Sequence, residues 1–262
     1  MARIAIVSYY FPPGDEIGGL RPSALARELA ALGHDVVVLT RQPSPAEVGF
    51  RALCVGGDAG ASLTAGQSQQ GATTGLKGLA RAALAIPDGK TRWALRASRA
   101  LRAEVREHGL DAVITTGPPH SVHLAARWGL GRRTARRPRW IADLRDLWTD
   151  NPYYDYGEAR RRLDRVIERA VLRSADAITA TTQGFARALE VRHGLAATSI
   201  LTGFDDREAS PTAAGTAAAG PECPAEPLRV VHAGNLYGGR RDPGPLIEAA
   251  GQLAASGRAD GS

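Results

Sequence analysis

Short apolar runs alternate along this chain with longer stretches in which apolar residues return every three or four positions. The runs are RIAIVS (3–8), DVVVLT (35–40), DAVITT (111–116), RWIADL (139–144), DAITAT (176–181) and TSILTG (198–203). Each is short, β-branched and apolar on both faces, as strands buried in a parallel sheet are. The intervening stretches carry helical spacing, as in Leu25, Leu29 and Leu32, or Leu163, Val166, Ile167, Ala170 and Val171. Strands alternating with helices predict βαβ units and an α/β fold, a doubly wound Rossmann-like parallel sheet.

Two stretches interrupt the alternation. Residues 56–75 are Gly, Ala, Ser, Thr and Gln with almost nothing to bury, and predict a surface excursion. Residues 206–227 are rich in Ala, Pro and Gly and predict an interdomain linker. Beyond it the pattern restarts with LRVVHAG (228–234), a turn, and PLIEAAGQLAAS (245–256). One strand and one helix do not make a domain. The expected organisation is therefore a first domain over 1–205, a linker over 206–227, and an incomplete second domain over 228–262.

The net charge is +6 and the predicted pI about 9.8, and lysine occurs only at Lys77 and Lys90. Such a balance serves nucleic acid, anionic membrane or phosphorylated ligands, or reflects a genome biased toward Ala, Arg and Gly codons. The densest patches are GRRTARRPR (131–139) and EARRRLDR (158–165). Without aromatic interleaving beyond Trp140, nucleic acid is not expected. Arg132, Arg133, Arg136, Arg137 and Arg139 instead form a candidate peripheral membrane contact. No secretory leader precedes the first strand, and no apolar run reaches the ~18 residues of a membrane span, so a cytoplasmic protein is expected. Cys54 and Cys223 lie far apart in loop-like segments and form neither a disulfide framework nor a metal-ligand spacing.

The candidate chemistry begins after the first strand. Gly18 and Gly19 stand before Arg21, Pro22 and Ser23 at a predicted helix start. Backbone N–H groups there are unpaired and carry partial positive charge, so the loop is either a phosphate cradle or a tight turn. The G-x-G-x-x-G and G-x-x-x-x-G-K-[ST] patterns are both absent, and the second strand ends at Thr40 and Arg41 instead of an acidic residue. The loop is thus built neither for a dinucleotide nor for P-loop chemistry.

The stretch YYFPPGDEIGGLRPSALARELAALGHDVVVLT (9–40) resembles the start of the retaining glycosyltransferases of family four, which have the two-domain GT-B fold. ITTGPPHSVHLAA (114–126), WIADLRDLWTDNP (140–152) and ADAITATTQGFARAL (175–189) are similar to later segments of that family, in the family's order. ILTGFDD (200–206) resembles the end of its first domain, with Thr202 where Asn is usual. VVHAGNLYGGRRDPGPLIEA (230–249) resembles the opening of its second domain.

The resemblance implies the N-terminal half of a GT-B fold plus the first βα unit of the second domain, with the site in the cleft between them. Gly18 and Gly19 would approach the donor diphosphate, or a phosphate on the acceptor. His120, after the Gly-Pro-Pro turn ending the third predicted strand, would contact the transferred sugar, with His123 one helical turn on. Asp143, Arg145 and Asp146 would bind acceptor hydroxyls, or form an internal Arg–Asp pair with Asp capping a helix. Trp148 and Tyr153 would stack on a sugar ring or cover the core. Arg240 and Arg241 would meet the diphosphate, Arg241 as a catalytic cation. Asn235 stands where the family carries Arg, and the family's paired glutamates belong beyond Ser262.

The expected reaction moves a sugar from a nucleotide-diphosphate sugar to a carbohydrate or lipid-linked acceptor hydroxyl with retention, in the making of cell-envelope polysaccharide. No cofactor is expected, and the sequence holds no Asp-x-Asp metal motif. Two alternatives stay open: a GT-B nucleotide-sugar epimerase, and a non-catalytic remnant that binds an acceptor or a partner.

Overall fold

The computed structural model describes residues 1–14, 17–42, 49–56, 86–132, 134, 137–154, 157–203, 231, 236 and 241–256. Seven strands form one parallel sheet: β1 (Arg3–Val7), β2 (Asp35–Thr40), β3 (Phe50–Cys54), β4 (Ala112–Gly117), β5 (Arg139–Leu144), β6 (Ala177–Ala180) and β7 (Thr198–Ser199). Their spatial order is β3-β2-β1-β4-β5-β6-β7. The helices are α1 (Leu20–Ala31), α2 (Thr91–His108), α3 (Ser121–Leu130), α4 (Glu158–Leu172), α5 (Gln183–His193) and α6 (Gly244–Ala255). A 3₁₀ turn, Ile17–Gly19, leads into α1. This is an α/β Rossmann-like fold. Chain order reverses between β1 and β4, and ligands of doubly wound sheets bind outside the strand carboxyl ends at such a switch.

The strands are apolar on both faces because both faces are covered. Ala5, Val7, Val37, Leu39, Val113, Ala142 and Leu144 pack against α2–α5, around the fully buried Trp93 and Trp140. Ile4, Ile6, Val36, Val38 and Ile114 pack on the other face against Ala26 of α1. All elements through β7 belong to one compact unit, and α6 belongs to a second. In α6, Leu246, Ile247 and Leu253 are exposed. The expected strand at 228–234 lies almost wholly outside the described residues, as do the low-complexity stretch beyond Gly56, the linker at 206–227 and Cys223.

The structure corrects the sequence reading in four places. β3 went unread, so the Gly-Pro-Pro-His turn follows the fourth strand, and Cys54 ends a strand instead of lying in a loop. β3 is a half-exposed edge strand whose Arg51 pairs with Glu104 at 2.6 Å, so no continuous apolar run marks it. β7 is two residues long, far shorter than 198–203. Leu32 caps α1 and is exposed.

The fourth correction is a turn of the buried face of α4. Ile167 and Val171 pack on the core as expected, but Leu163, Val166 and Ala170 are exposed, whereas Asp164 and Glu168 are buried. The segment after β5 supplies the reason, because it brings partners to those carboxylates. The Tyr154 hydroxyl donates to Asp164 at 2.7 Å, and Arg160 donates to the same carboxylate at 3.0 Å. Thr149 donates to Glu168, whose other neighbour is His193 at 3.4 Å. A buried carboxylate persists only where it is paired and hydrogen-bonded, and here the tertiary partners outweigh the helix's own apolar stripe.

Candidate functional site

The β1–α1 loop, the turn after β4 and the residues after β5 meet at the switch point, and Arg145 joins them. Its guanidinium donates to the Gly18 carbonyl at 2.6 Å, to the Gly117 carbonyl at 3.3 Å and to the Pro118 carbonyl. Its own carbonyl accepts from Thr181 at 2.8 Å. One planar fork thus holds three loops in register, a geometry lysine does not reproduce.

The glycine turn is shaped by this meeting. A Cβ on Gly18 would lie 2.9 Å from the Tyr10 ring and 3.0 Å from Arg145 Nη1, and one on Gly19 would lie 3.3 Å from Phe11 Cα. A Cβ thus fits at Gly18 only if the Tyr10 ring shifts, and at Gly19 it crowds the Phe11 backbone, so both glycines serve close approach to protein. Arg21, expected beside a phosphate, instead holds Asp143 bidentately at 2.9 and 3.0 Å. It also donates to the Leu201 carbonyl at 3.0 Å.

Asp143 is the best-supported carboxylate of the region. It is 3% exposed and also accepts from Thr179 at 2.7 Å and Thr116 at 2.9 Å. Burial alone would raise its pKa. Hydrogen bonding and charge from Arg21, with the two threonines, outweigh it and hold the carboxyl below its ordinary range. Its oxygens are thus engaged within the protein, so contact with an acceptor hydroxyl does not fall to Asp143. The internal ion pair left open above exists, with Arg21 as partner. Of the three charged residues expected to face an acceptor, Asp146 is the exposed one, and it has no hydrogen bond among the described residues. Partial burial raises its pKa and Arg145 opposes the rise.

His120 starts α3 without a side-chain cap. It is 9% exposed, its Nδ1 has no hydrogen-bond partner among the described residues, and its ring stacks flat on Trp148 at 5.1 Å. Burial, with help from His123 and Arg145, lowers its pKa to about 3. His123 lies fully buried, with Nδ1 2.8 Å from the Thr115 hydroxyl, which also accepts from Trp140 Nε1 at 2.9 Å. Burial lowers its pKa to about 4. Both imidazoles are neutral near pH 7. Trp148 is buried against His120, so it lines the core side of this turn and presents no open face to a sugar.

Asp88 escaped the sequence reading. It follows a Pro in an Ile-Pro-Asp-Gly turn, a pattern that signals only a turn. Its carboxylate reaches across the fold to accept from the Ser121 N–H at 2.9 Å and from the Lys90 N–H at 3.2 Å. It thereby caps α3 from a distant segment and fixes the histidine turn. Burial raises its pKa, opposed by these hydrogen bonds. Asp88→Ala is expected to cost about 1–2 kcal/mol as the loss of an N-cap does, and to speed amide exchange at Ser121 while leaving β2 protected. Unchanged exchange at Ser121 would contradict the capping role.

Arg241 is exposed and belongs to the second unit, where its N–H donates to the Leu236 carbonyl at 3.1 Å. Arg240 and Asn235 lie outside the described residues. Among the described residues no three His, Cys, Asp or Glu side chains gather around a common point. No described helix is long and apolar enough to cross a membrane.

Comparison with known proteins bears on the fold and the family. Sucrose-phosphate synthase from Thermosynechococcus elongatus is 16% identical, with a TM-score of 0.51 over 79% of this chain and 49% of that one. This chain therefore spans about half the length of that relative. UDP-GlcNAc 2-epimerase from Methanocaldococcus jannaschii is 13% identical, with a TM-score of 0.42 over 76% of this chain and 45% of that one. The glycosyltransferase SsfS6 of Streptomyces sp. SF2575 is 16% identical, with a TM-score of 0.38 over 69% and 50%. No curated protein sequence matches the chain. A family model described as glycosyl transferase 4-like domain matches residues 18–203, from the glycine turn through β2–β7 to the segment after β7. That match covers well over half of the chain, and the chain belongs to the glycosyl transferase 4-like family.

Proposed function

We propose that this chain carries the acceptor-side half of an enzyme that transfers a sugar from a nucleotide-diphosphate sugar to an acceptor hydroxyl with retention. The observation that carries the reading is the convergence at the switch point. A neutral histidine, an unpaired carboxylate and a glycine turn stand together there, fixed by Arg145 within the family match. His120 contacts the sugar as a neutral imidazole, which donates or accepts a hydrogen bond without repelling positive charge that develops in the transition state. Asp146 orients the acceptor hydroxyl. The backbone at Gly18 and Gly19 approaches the leaving diphosphate from the side of the first unit. The acceptor is a carbohydrate or lipid-linked intermediate of cell-envelope polysaccharide, met in the cytoplasm, and no cofactor is needed.

The test is turnover of a panel of nucleotide hexoses, with and without cell-envelope glycolipid acceptors, by the protein carrying its complete second domain. His120→Asn and Asp146→Asn are each expected to lower kcat/KM by about a hundredfold or more. His120→Ala is the poorer probe, because truncation opens a void beneath Trp148 and lowers stability as well. Full activity in both Asn variants would overturn the assignment. Conversion of the nucleotide sugar without acceptor would identify an epimerase instead.

A further inference from the structure

The exposed charged side chains of α2 and α4 are predominantly basic, with Glu107 and Glu158 as the exposed carboxylates among the described residues. Arg92, Arg99 and Arg106 recur every seven residues on the exposed side of α2, and Arg162, Arg169 and Arg173 line the exposed side of α4. None of these six has an ion-pair partner among the described residues, whereas Arg21, Arg51, Arg137, Arg160 and Arg192 are all paired. Three of the five carboxylates on these helices, Glu104, Asp164 and Glu168, are turned inward; the exposed Glu158 pairs with Arg161 at 3.2 Å, Glu107 is exposed, and α3 holds none. A codon bias toward arginine does not explain which side chains are paired and which are not.

Apolar groups stand among these charges. Val166 is 67% and Leu163 46% exposed, on the α4 stripe between Arg162 and Arg169. At the C-terminal ends of α3 and α4 a groove of about 560 Å³ is lined by Arg127, Trp128, Arg132, Ala170 and Arg173. Arg127 is engaged with the Ala170 carbonyl and the Ser174 hydroxyl, which leaves Arg132 and Arg173 to face a ligand. Arg137, expected at such a surface, is instead buried against Asp176 at 2.6 Å. Arg133 and Arg136 lie outside the described residues, and Arg139 is exposed.

We propose that the outer face of α2, α3 and α4 seats this protein on an anionic lipid surface, with Arg132 and Arg173 on headgroup phosphates and Leu163 and Val166 in the headgroup–acyl boundary. The distribution of groups favours a bilayer over other polyanions. Along α2 the arginines span about 20 Å and along α4 about 17 Å, at 1.5 Å per residue. They form a broad field in which, among the described residues of these helices, Trp128 is the one aromatic side chain not fully buried, a single half-buried ring instead of a row of platforms for stacking bases. Exposed aliphatics between arginines gain nothing from a nucleic acid and gain burial at a membrane interface. The proposal is independent of sugar transfer.

Co-sedimentation of the purified protein with vesicles decides it. Binding is expected to vesicles holding about one-third phosphatidylglycerol, to be lost at high salt, and to be absent with neutral phosphatidylcholine. Arg162→Gln/Arg169→Gln/Arg173→Gln should weaken partition about a hundredfold, and Arg169→Gln alone about fivefold. Arg187→Gln, on α5, should leave it unchanged. Leu163→Ser/Val166→Ser should weaken vesicle binding about tenfold while binding to heparin stays the same. Melting curves of each variant confirm the fold. Equal binding by the arginine variants, absence of vesicle binding, or an equal loss on heparin in the serine variant would each overturn the proposal, the last pointing to an acidic macromolecule.

Discussion

Asp143→Ala is expected to destabilise the folded unit by about 3–5 kcal/mol, the cost of breaking a buried ion pair from one side. The pair is almost fully enclosed, with side-chain exposures of 13% for Arg21 and 5% for Asp143. Removing the carboxylate strands a buried guanidinium together with the Thr116 and Thr179 hydroxyls. For a unit of this size the melting temperature should fall by roughly 10 °C. Arg21→Met/Asp143→Leu should recover most of the loss, because replacing both partners removes the desolvated charge. A melting temperature for Asp143→Ala within about 2 °C of the parent would show that water screens the pair.

The second large effect is acid sensitivity above the carboxylate range. The folded-state pKa of His120 is about 3 and that of His123 about 4, both below the 6.5 of an unfolded histidine. Between those values the unfolded chain binds more protons than the folded one, so stability rises with pH and is lost as pH falls below about 6.5. At pH 5 each imidazole accounts for about 2 kcal/mol of lost stability relative to pH 8, and the two together about 4. Urea midpoints measured from pH 8 to pH 4.5 should show this slope, and His120→Asn/His123→Asn should flatten it. The Asp143 carboxylate, whose pKa is depressed, adds its own loss only below about pH 3.8. A flat profile between pH 7 and pH 5 in the parent protein would refute the neutral, buried state of both rings.

Both effects rest on contacts between segments far apart in the chain, and this marks what was readable in advance. His120 and Asp143 stood out because each ends an apolar run, where a parallel sheet places ligands. Their partners did not stand out. Arg21 looked like a phosphate ligand because it follows two glycines, yet a carboxylate 122 positions later takes it. Asp88 looked like an ordinary turn residue, yet it caps a helix 33 positions on. Trp148 carried the pattern of a sugar platform or of a core residue equally, and only the flat stack on His120 distinguishes the two.

The sequence by itself determined the parallel sheet and the chain positions of its central strands. A strand buried on both faces must be apolar on both faces, and that requirement is local. It also determined that the glycine turn, the histidine turn and the charged end of β5 belong together, since alternating strands and helices bring their carboxyl ends to one edge. The tertiary structure alone decided β3 and the orientation of α4. At an edge strand, half-exposure removes the apolar signal, and Arg51 finds Glu104 only after the chain has folded back. In α4 a helical stripe shows which residues share a face but not which face turns inward. That choice fell to Thr149, Tyr154 and His193, which meet Glu168 and Asp164 from other segments. Satisfying two buried carboxylates outweighed burying Leu163 and Val166, because an unpaired buried charge costs more than two exposed aliphatic side chains.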